Sequence, residues 1–92
     1  MIYSKIYYII YIESEGEMMS SITSDTLRII DRAGADPTFT EIFARLSYAT
    51  HTEVRDTLRW LERKGLIVSY YCPSMRQHRY YLSAKAEHLM NE

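Results

Sequence analysis

The residues of this chain best suited to contact another molecule are His51, Thr52, Arg55, Asp56 and Arg59. Their spacing of one, three and four would gather them on one side of a helix. Opposite them Val54, Leu58 and Leu61 fall at i, i+4 and i+7, the stripe a helix buries. A face of arginine, histidine and threonine offers donors for phosphate oxygens and for base edges. The plain alternative is a solvated amphipathic face, and the chain beyond the helix decides between them.

Other chemistries find no support. Cys72, His51, His78 and His88 are scattered, with no spacing that suggests a metal site. There is no glycine-rich phosphate loop, zinc-hydrolase helix motif or nucleophile elbow, so the chain reads as a non-enzyme without cofactor. Its 92 residues, 47% hydrophobic and 25% charged, describe one small domain with a modest core. A net charge of −1 gives no bulk basic signal, but the charges are uneven. Residues 40 to 85 hold eight cations against four anions, whereas the segment before them holds three against six. Lone Cys72 excludes an internal disulfide and suits a reducing cytoplasm.

The elements that must position this face can be read from their ends. Thr38 is followed three residues on by Glu41, and Thr50 by Glu53, so two capping boxes stand about a dozen residues apart. That leaves room for a short helix and a tight turn, the spacing of a helix-turn-helix. The second helix is expected over Phe39 to Leu46, burying Phe39, Ile42, Phe43 and Leu46, and the third over His51 to Lys64 with Gly65 as its C′ residue. Before them, Ser24 as N-cap, then Leu27, Ile30 and Ala33 on one face and Gly34 as a stop, predict a first helix. Pro37 makes Ala35-Asp36-Pro37 a turn. After Gly65, LIVSYYCPSMRQHRYYLS predicts two strands around the turn Cys72 to Gln77, and Ser83 starts a short last helix. In the second strand Tyr80 and Leu82 point one way, Arg79 and Tyr81 the other. Cross-strand pairs among Tyr70, Tyr71, Tyr80 and Tyr81 would stiffen the hairpin. Trp60 lies off the main stripe, as semi-core packing or at a partner surface.

This order of elements resembles the winged-helix transcriptional regulators, in the broad sense of the MarR, PadR and ArsR-like families. The residues that carry the resemblance are Val54, Leu58, Leu61, Glu62, Lys64-Gly65-Leu66-Ile67, then Arg79-Tyr80-Tyr81-Leu82-Ser83 and Ala86, and it covers about Ser24 to Leu89. It implies an α+β fold with a three-helix helix-turn-helix core, a two-stranded wing and a short C-terminal helix. It also implies that the third helix enters the major groove of double-stranded DNA while the hairpin lies along the backbone. By position, the groove-facing residues would be Thr50, His51, Thr52, Arg55, Asp56 and Arg59, and the wing residues Arg76, Gln77 and His78. Thr50 would cap the helix near a phosphate, and Tyr48 would either give its hydroxyl to a phosphate or pack on the second helix. Asp56, repelled by phosphates, would accept from a cytosine amino group or orient Arg55 or Arg59, and orientation is favoured.

The first nineteen residues differ from the rest, with Ile2, Ile6, Tyr8, Ile10 and Ile12 alternating against Tyr3, Lys5, Tyr7 and Tyr11. The run is too short to span a bilayer and lacks a signal-peptide flank, so no membrane role is expected. It reads either as a strand used in dimerisation or as an upstream artefact, since SEGEMM could be written by a ribosome-binding site ahead of Met18 and Met19. N-terminal sequencing of the natively expressed protein separates the two. The last helix is shorter than the dimerisation helices of many such regulators. A homodimer would therefore use the first helix, the leader, or Leu89 and Met90. Two functions from different classes are compatible with these residues: sequence-specific binding of double-stranded DNA from residues 20–92, or a winged-helix module that binds a protein through Trp60, the wing and the apolar tail.

Overall fold

Three helices, a hairpin and a closing helix follow one another in the computed structural model, which describes residues 21–90, the last two by their backbone alone. α1 covers Ser21–Arg32, α2 Phe39–Ala44, α3 His51–Arg63, β1 Ile67–Cys72, β2 Gln77–Leu82 and α4 Ala84–Met90. The readings of the apolar leader lie outside the described residues, as do the side chains of Leu89 and Met90.

α1 corrects one expectation. Ser24 is not its N-cap, because the chain is already helical at Ser21, and the buried Ser24 hydroxyl donates to the Ser21 carbonyl at 3.2 Å. A serine inside a helix satisfies itself on the preceding turn in this way, so Ser-Asp in sequence does not separate a cap from an interior. Leu27 and Ile30 are buried as their period requires. The helix ends at Arg32, and Gly34 does not adopt the left-handed conformation of a glycine cap.

α2 begins with the expected capping box: Thr38 Oγ1 accepts from the Glu41 N–H at 3.2 Å, and Glu41 accepts from the Thr38 N–H at 3.0 Å. Those bonds hold the Glu41 carboxyl below its usual range. α2 is shorter than Phe39 to Leu46. After Ala44 the N–H groups of Arg45 and Leu46 turn back only three residues, to Ile42 and Phe43, which tightens the chain into the turn. Ile42 and Leu46 are buried, whereas Phe39 and Phe43 are half-buried and stack with ring centroids 6.0 Å apart.

α3 carries the second box, Thr50 with Glu53, and buries Val54, Leu58 and Leu61. It closes at Gly65, where φ is +73° and a side chain would be strained. The Gly65 N–H donates to Glu62 and the Leu66 N–H to Leu61, both at 3.0 Å, the paired bonds of a Schellman end. That turn delivers Leu66 and Ile67 into the core and starts the hairpin.

β1 and β2 pair antiparallel with Ile67 opposite Leu82 and Cys72 opposite Gln77. The outer side of β2 is held by the chain ahead of α2: Thr38 bridges Arg79, and the Tyr80 N–H donates to the Pro37 carbonyl at 3.0 Å. Leu82 is buried and Tyr80 half-buried on one face, with Tyr81 exposed on the other, as expected. The tyrosine ladder is thinner than expected. Tyr70 meets Tyr81 with centroids 6.0 Å apart, but Tyr71 meets His78, and Tyr80 turns inward opposite Ser69. Ser83 caps α4 by accepting from the Ala86 N–H at 3.1 Å and donates to the Gly65 carbonyl at 2.6 Å, while Lys85 donates to the Lys64 carbonyl. One core, from Leu27 through Ile42, Leu46, Val54, Leu58, Leu61, Leu66 and Ile67 to Leu82 and Ala86, joins all six elements. Each fully buried leucine contributes about 2 kcal/mol.

Candidate nucleic-acid interface

Because α3 buries one stripe, the rest of its surface is presented outward: His51, Thr52, Glu53, Arg55, Asp56, Arg59, Glu62 and Arg63 are all exposed. At its start the capping box accounts for the N–H groups of Thr50 and Glu53, while those of His51 and Thr52 have no carbonyl one turn back to bond. Two donors and the positive end of a thirteen-residue helix therefore stand at an exposed point. The His51 ring is not free to sweep. It packs 4.7 Å from the Phe39 centroid and 5.8 Å from Phe43, which pins α2 to the start of α3.

The hairpin stands beside this helix and leaves a cleft of about 360 Å³ between them. Phe39, Leu58 and Tyr80 give it apolar walls, and Arg55 and Arg59 of α3 meet His78 of β2 across it. Burial, and then the charge of Glu62, push the Tyr80 hydroxyl above its usual range. Glu62 accepts from Ser69 at 3.2 Å and ties β1 to α3. A wider depression of about 650 Å³ runs from Asp56 along Arg59, Glu62 and Arg63. The arrangement is a helix face that carries three arginines among three carboxylates, flanked by a projecting hairpin.

No family model matches the sequence, and no curated protein does. Solved structures do match. The chain is similar to the Helicobacter pylori ferric uptake regulator Fur, described with three functional metal binding sites, at 19% identity and a TM-score of 0.73, over 91% of this chain and 59% of that one. It is similar to MepR, a transcription regulator of the Staphylococcus aureus multidrug efflux pump MepA, at 20% identity and a TM-score of 0.68, over 98% and 63%. A MepR variant bound to an oligodeoxyribonucleotide matches at 23% identity and a TM-score of 0.67, over 98% and 66%. The fold is a winged helix. The chain spans about three-fifths of the length of the first of these structures.

Within the winged helix the sequence-derived candidates separate. Thr52, Arg55 and Arg59 lie on the open face of α3, with His78 on the wing across the cleft. Asp56 lies 3.5 Å from Arg55 Nε, one of the two arginines it was expected to orient. Arg76 sits in the turn of the wing, exposed and at a φ of 53°, a conformation uncommon outside glycine and asparagine. Thr50 spends its hydroxyl on the cap. The Tyr48 hydroxyl donates to Asp25 of α1, and burial together with that carboxylate raises its pKa. Gln77 Oε1 accepts from both the N–H and the hydroxyl of Thr40, at 3.0 and 2.7 Å, so it fastens the wing to α2. Trp60 is half-buried against the core, with Lys64 Nζ 5.8 Å from its ring centre.

Some participants were not visible in sequence. Asp36 clamps the wing, accepting at its carboxylate from the Tyr70 hydroxyl at 2.9 Å and at its carbonyl from Arg79. Phe39 and Ser69 also line the cleft. Asp36 bonds 34 and 43 positions along the chain, which left no local signal for it. Among the described residues no three His, Cys, Asp or Glu side chains are grouped as for a metal, and no helix is long and apolar enough to cross a membrane.

Proposed function

We propose that this chain binds double-stranded DNA with sequence preference and acts as a small transcription regulator, with α3 in the major groove and the wing against the backbone. The observation that carries the reading is the meeting of Arg55 and Arg59 with His78 across one cleft, beside the exposed Thr52. Three donor-bearing side chains on two elements match the two surfaces a duplex offers, base edges in the groove and phosphates beside it. The cationic balance of residues 40 to 85 supports the same reading, as does the oligonucleotide-bound MepR variant of similar fold. Occlusion or recruitment of polymerase is the mode of action, in the cytoplasm, and a homodimer on two half-sites is part of the proposal.

Gel shifts on genomic fragments across a salt series test it. A subset of fragments should be retarded, with affinity falling by about a thousandfold or more between about 50 and 200 mM salt for six or more phosphate contacts. No retardation at low salt would overturn the reading. A protein-binding module is the second reading, favoured by one observation: Val68, Tyr70 and Tyr81 lie exposed together on the outer face of the wing. Trp60, which that reading would also use, is half-buried against the core.

A further inference from the structure

Histidine is the side chain whose charge changes between about pH 5 and 8, and a charge brought close by another molecule moves that change. This chain has three, His51, His78 and His88. His51 packs against the rings of Phe39 and Phe43, and His88 lies on α4 and is not among the residues that line the cleft between α3 and the wing. His78 does line it, on the side of the hairpin that Tyr80 and Leu82 also face. The Tyr71 ring, opposite in register, meets the imidazole edge-on with centroids 5.6 Å apart. That contact orients the ring and takes neither of its nitrogens. Among the described residues neither nitrogen has a hydrogen-bond partner, and the side chain is exposed.

Across the cleft His78 faces Arg55, Arg59 and Glu62 of α3, with Ser69 of β1, Tyr80 of β2 and the uncharged Phe39 of α2 beside them. Asp56 accepts from Arg55, and Glu62 accepts from Ser69, so both carboxylates have partners other than His78. A duplex with α3 in its major groove and the wing on its backbone runs one sugar-phosphate strand between the two, across this cleft. Each phosphate that enters brings a negative charge beside two guanidiniums and one imidazole with open nitrogens. The guanidiniums are charged throughout the physiological range, so of these cationic groups only the imidazole responds by changing its charge. An imidazolium donates to a phosphate oxygen in a charge-assisted bond, stronger than a neutral ring makes.

We propose that DNA binding by this chain takes up one proton per protomer at His78, whose imidazolium then holds a backbone phosphate between α3 and the wing, so that affinity rises as pH falls. The proposal rests on the DNA-binding reading and adds its regulation. The sign follows from linkage: the complex binds more protons than the free protein, so lower pH favours the complex.

The test uses the full chain in fluorescence anisotropy at fixed low salt, from about pH 8 to about pH 6. Wild-type affinity should rise by up to about tenfold per pH unit for one proton per protomer. The rise should be equal on a random-sequence duplex and on one retarded in gel shifts, because a phosphate contact carries no base information. His78→Gln should bind with a flat pH profile, and His78→Lys, charged throughout, should be as flat but tighter. Both changes fall on an exposed side chain, so the fold should hold. His51→Gln and Cys72→Ser are the controls and should keep the pH dependence at whatever affinity they retain. The Cys72 thiol is lowered to about 7, first by its hydrogen bond with Ser74, but Cys72 pairs with Gln77 and so points to the opposite side of the hairpin. A flat wild-type profile overturns the proposal, as does a dependence that survives in His78→Gln or vanishes in either control. If no duplex binds at any of these pH values, the DNA-binding reading falls by itself. Inorganic sulfate, whose charge is constant over the range, then decides the site. NMR should show saturable shifts of the His78 ring protons, larger at the acid end than at the alkaline end, and their absence overturns proton-linked anion binding there.

Discussion

Arg55 and Arg59 stand one turn apart on α3 and are not equivalent. Arg55 has Asp56 beside it at 3.5 Å, whereas Arg59 borders both the wing cleft and the depression toward Arg63. If both read bases, Arg55→Ala and Arg59→Ala should each weaken specific binding by about 1 to 3 kcal/mol in anisotropy titrations. Arg76→Ala should instead reduce the salt slope by about 0.9, with an equal loss on specific and random duplexes. Unchanged affinity in all three variants would remove α3 and the wing from the interface. At the far end of β1, Cys72 offers a prediction independent of DNA. Its Sγ lies 3.3 Å from Ser74 Oγ, and hydrogen bonds from Ser74, Arg79 and the Met75 backbone lower the thiol to about 7. The thiolate is the nucleophile, so alkylation by iodoacetamide should rise with pH through a midpoint near 7 rather than the usual ~8.5, and Arg79→Gln should move that midpoint upward.

Among the elements, the wing depends on anchors at its base. Gln77 holds it to Thr40, Asp36 to Tyr70 and Arg79, and Glu62 to Ser69. Gln77→Ala removes two of these bonds at an exposed site, so stability should fall by about 1 kcal/mol or less. Amide exchange across 77–80 should quicken, and affinity should drop alike on all duplexes, because positioning rather than base reading is lost. α1 offers the opposite sign. Thr26 is fully buried, and among the described residues its Oγ1 has no hydrogen-bond partner. Thr26→Val keeps the shape and removes the stranded hydroxyl, so urea unfolding should show a gain of about 1 kcal/mol. The helix ends themselves were legible beforehand. Thr38-Glu41, Thr50-Glu53, Gly65 and Ser83 mark them by chemistry confined to four or five neighbouring residues. The same local logic failed at Ser24, where the residues that make it interior are tertiary neighbours and an extra turn before it.

For the whole molecule, a regulator that reads two half-sites needs two copies related by a two-fold axis, with reading helices roughly 34 Å apart. Sedimentation of the chain with a retarded duplex should give two protomers per site, and footprints should show paired protections about 10 base pairs apart. One protomer per duplex would limit the proposal to a single half-site. The periodic burial of Val54, Leu58 and Leu61, the strand alternation ending at Leu82 and the caps between them arise from patterns local in sequence. They were enough to give the order of elements on which the resemblance to winged helices rests, and the exposed face of α3. Which polar residues that face keeps for a partner was not written locally. Tyr48, Gln77 and Asp36 each bond to a side chain or backbone 23 to 43 positions away. The facing of His78 with Arg55 and Arg59 arises from how the wing packs against α3. A side chain's type limits which bonds it can make, but long-range packing selects the partner that takes them, and so decides which donors remain open at the surface.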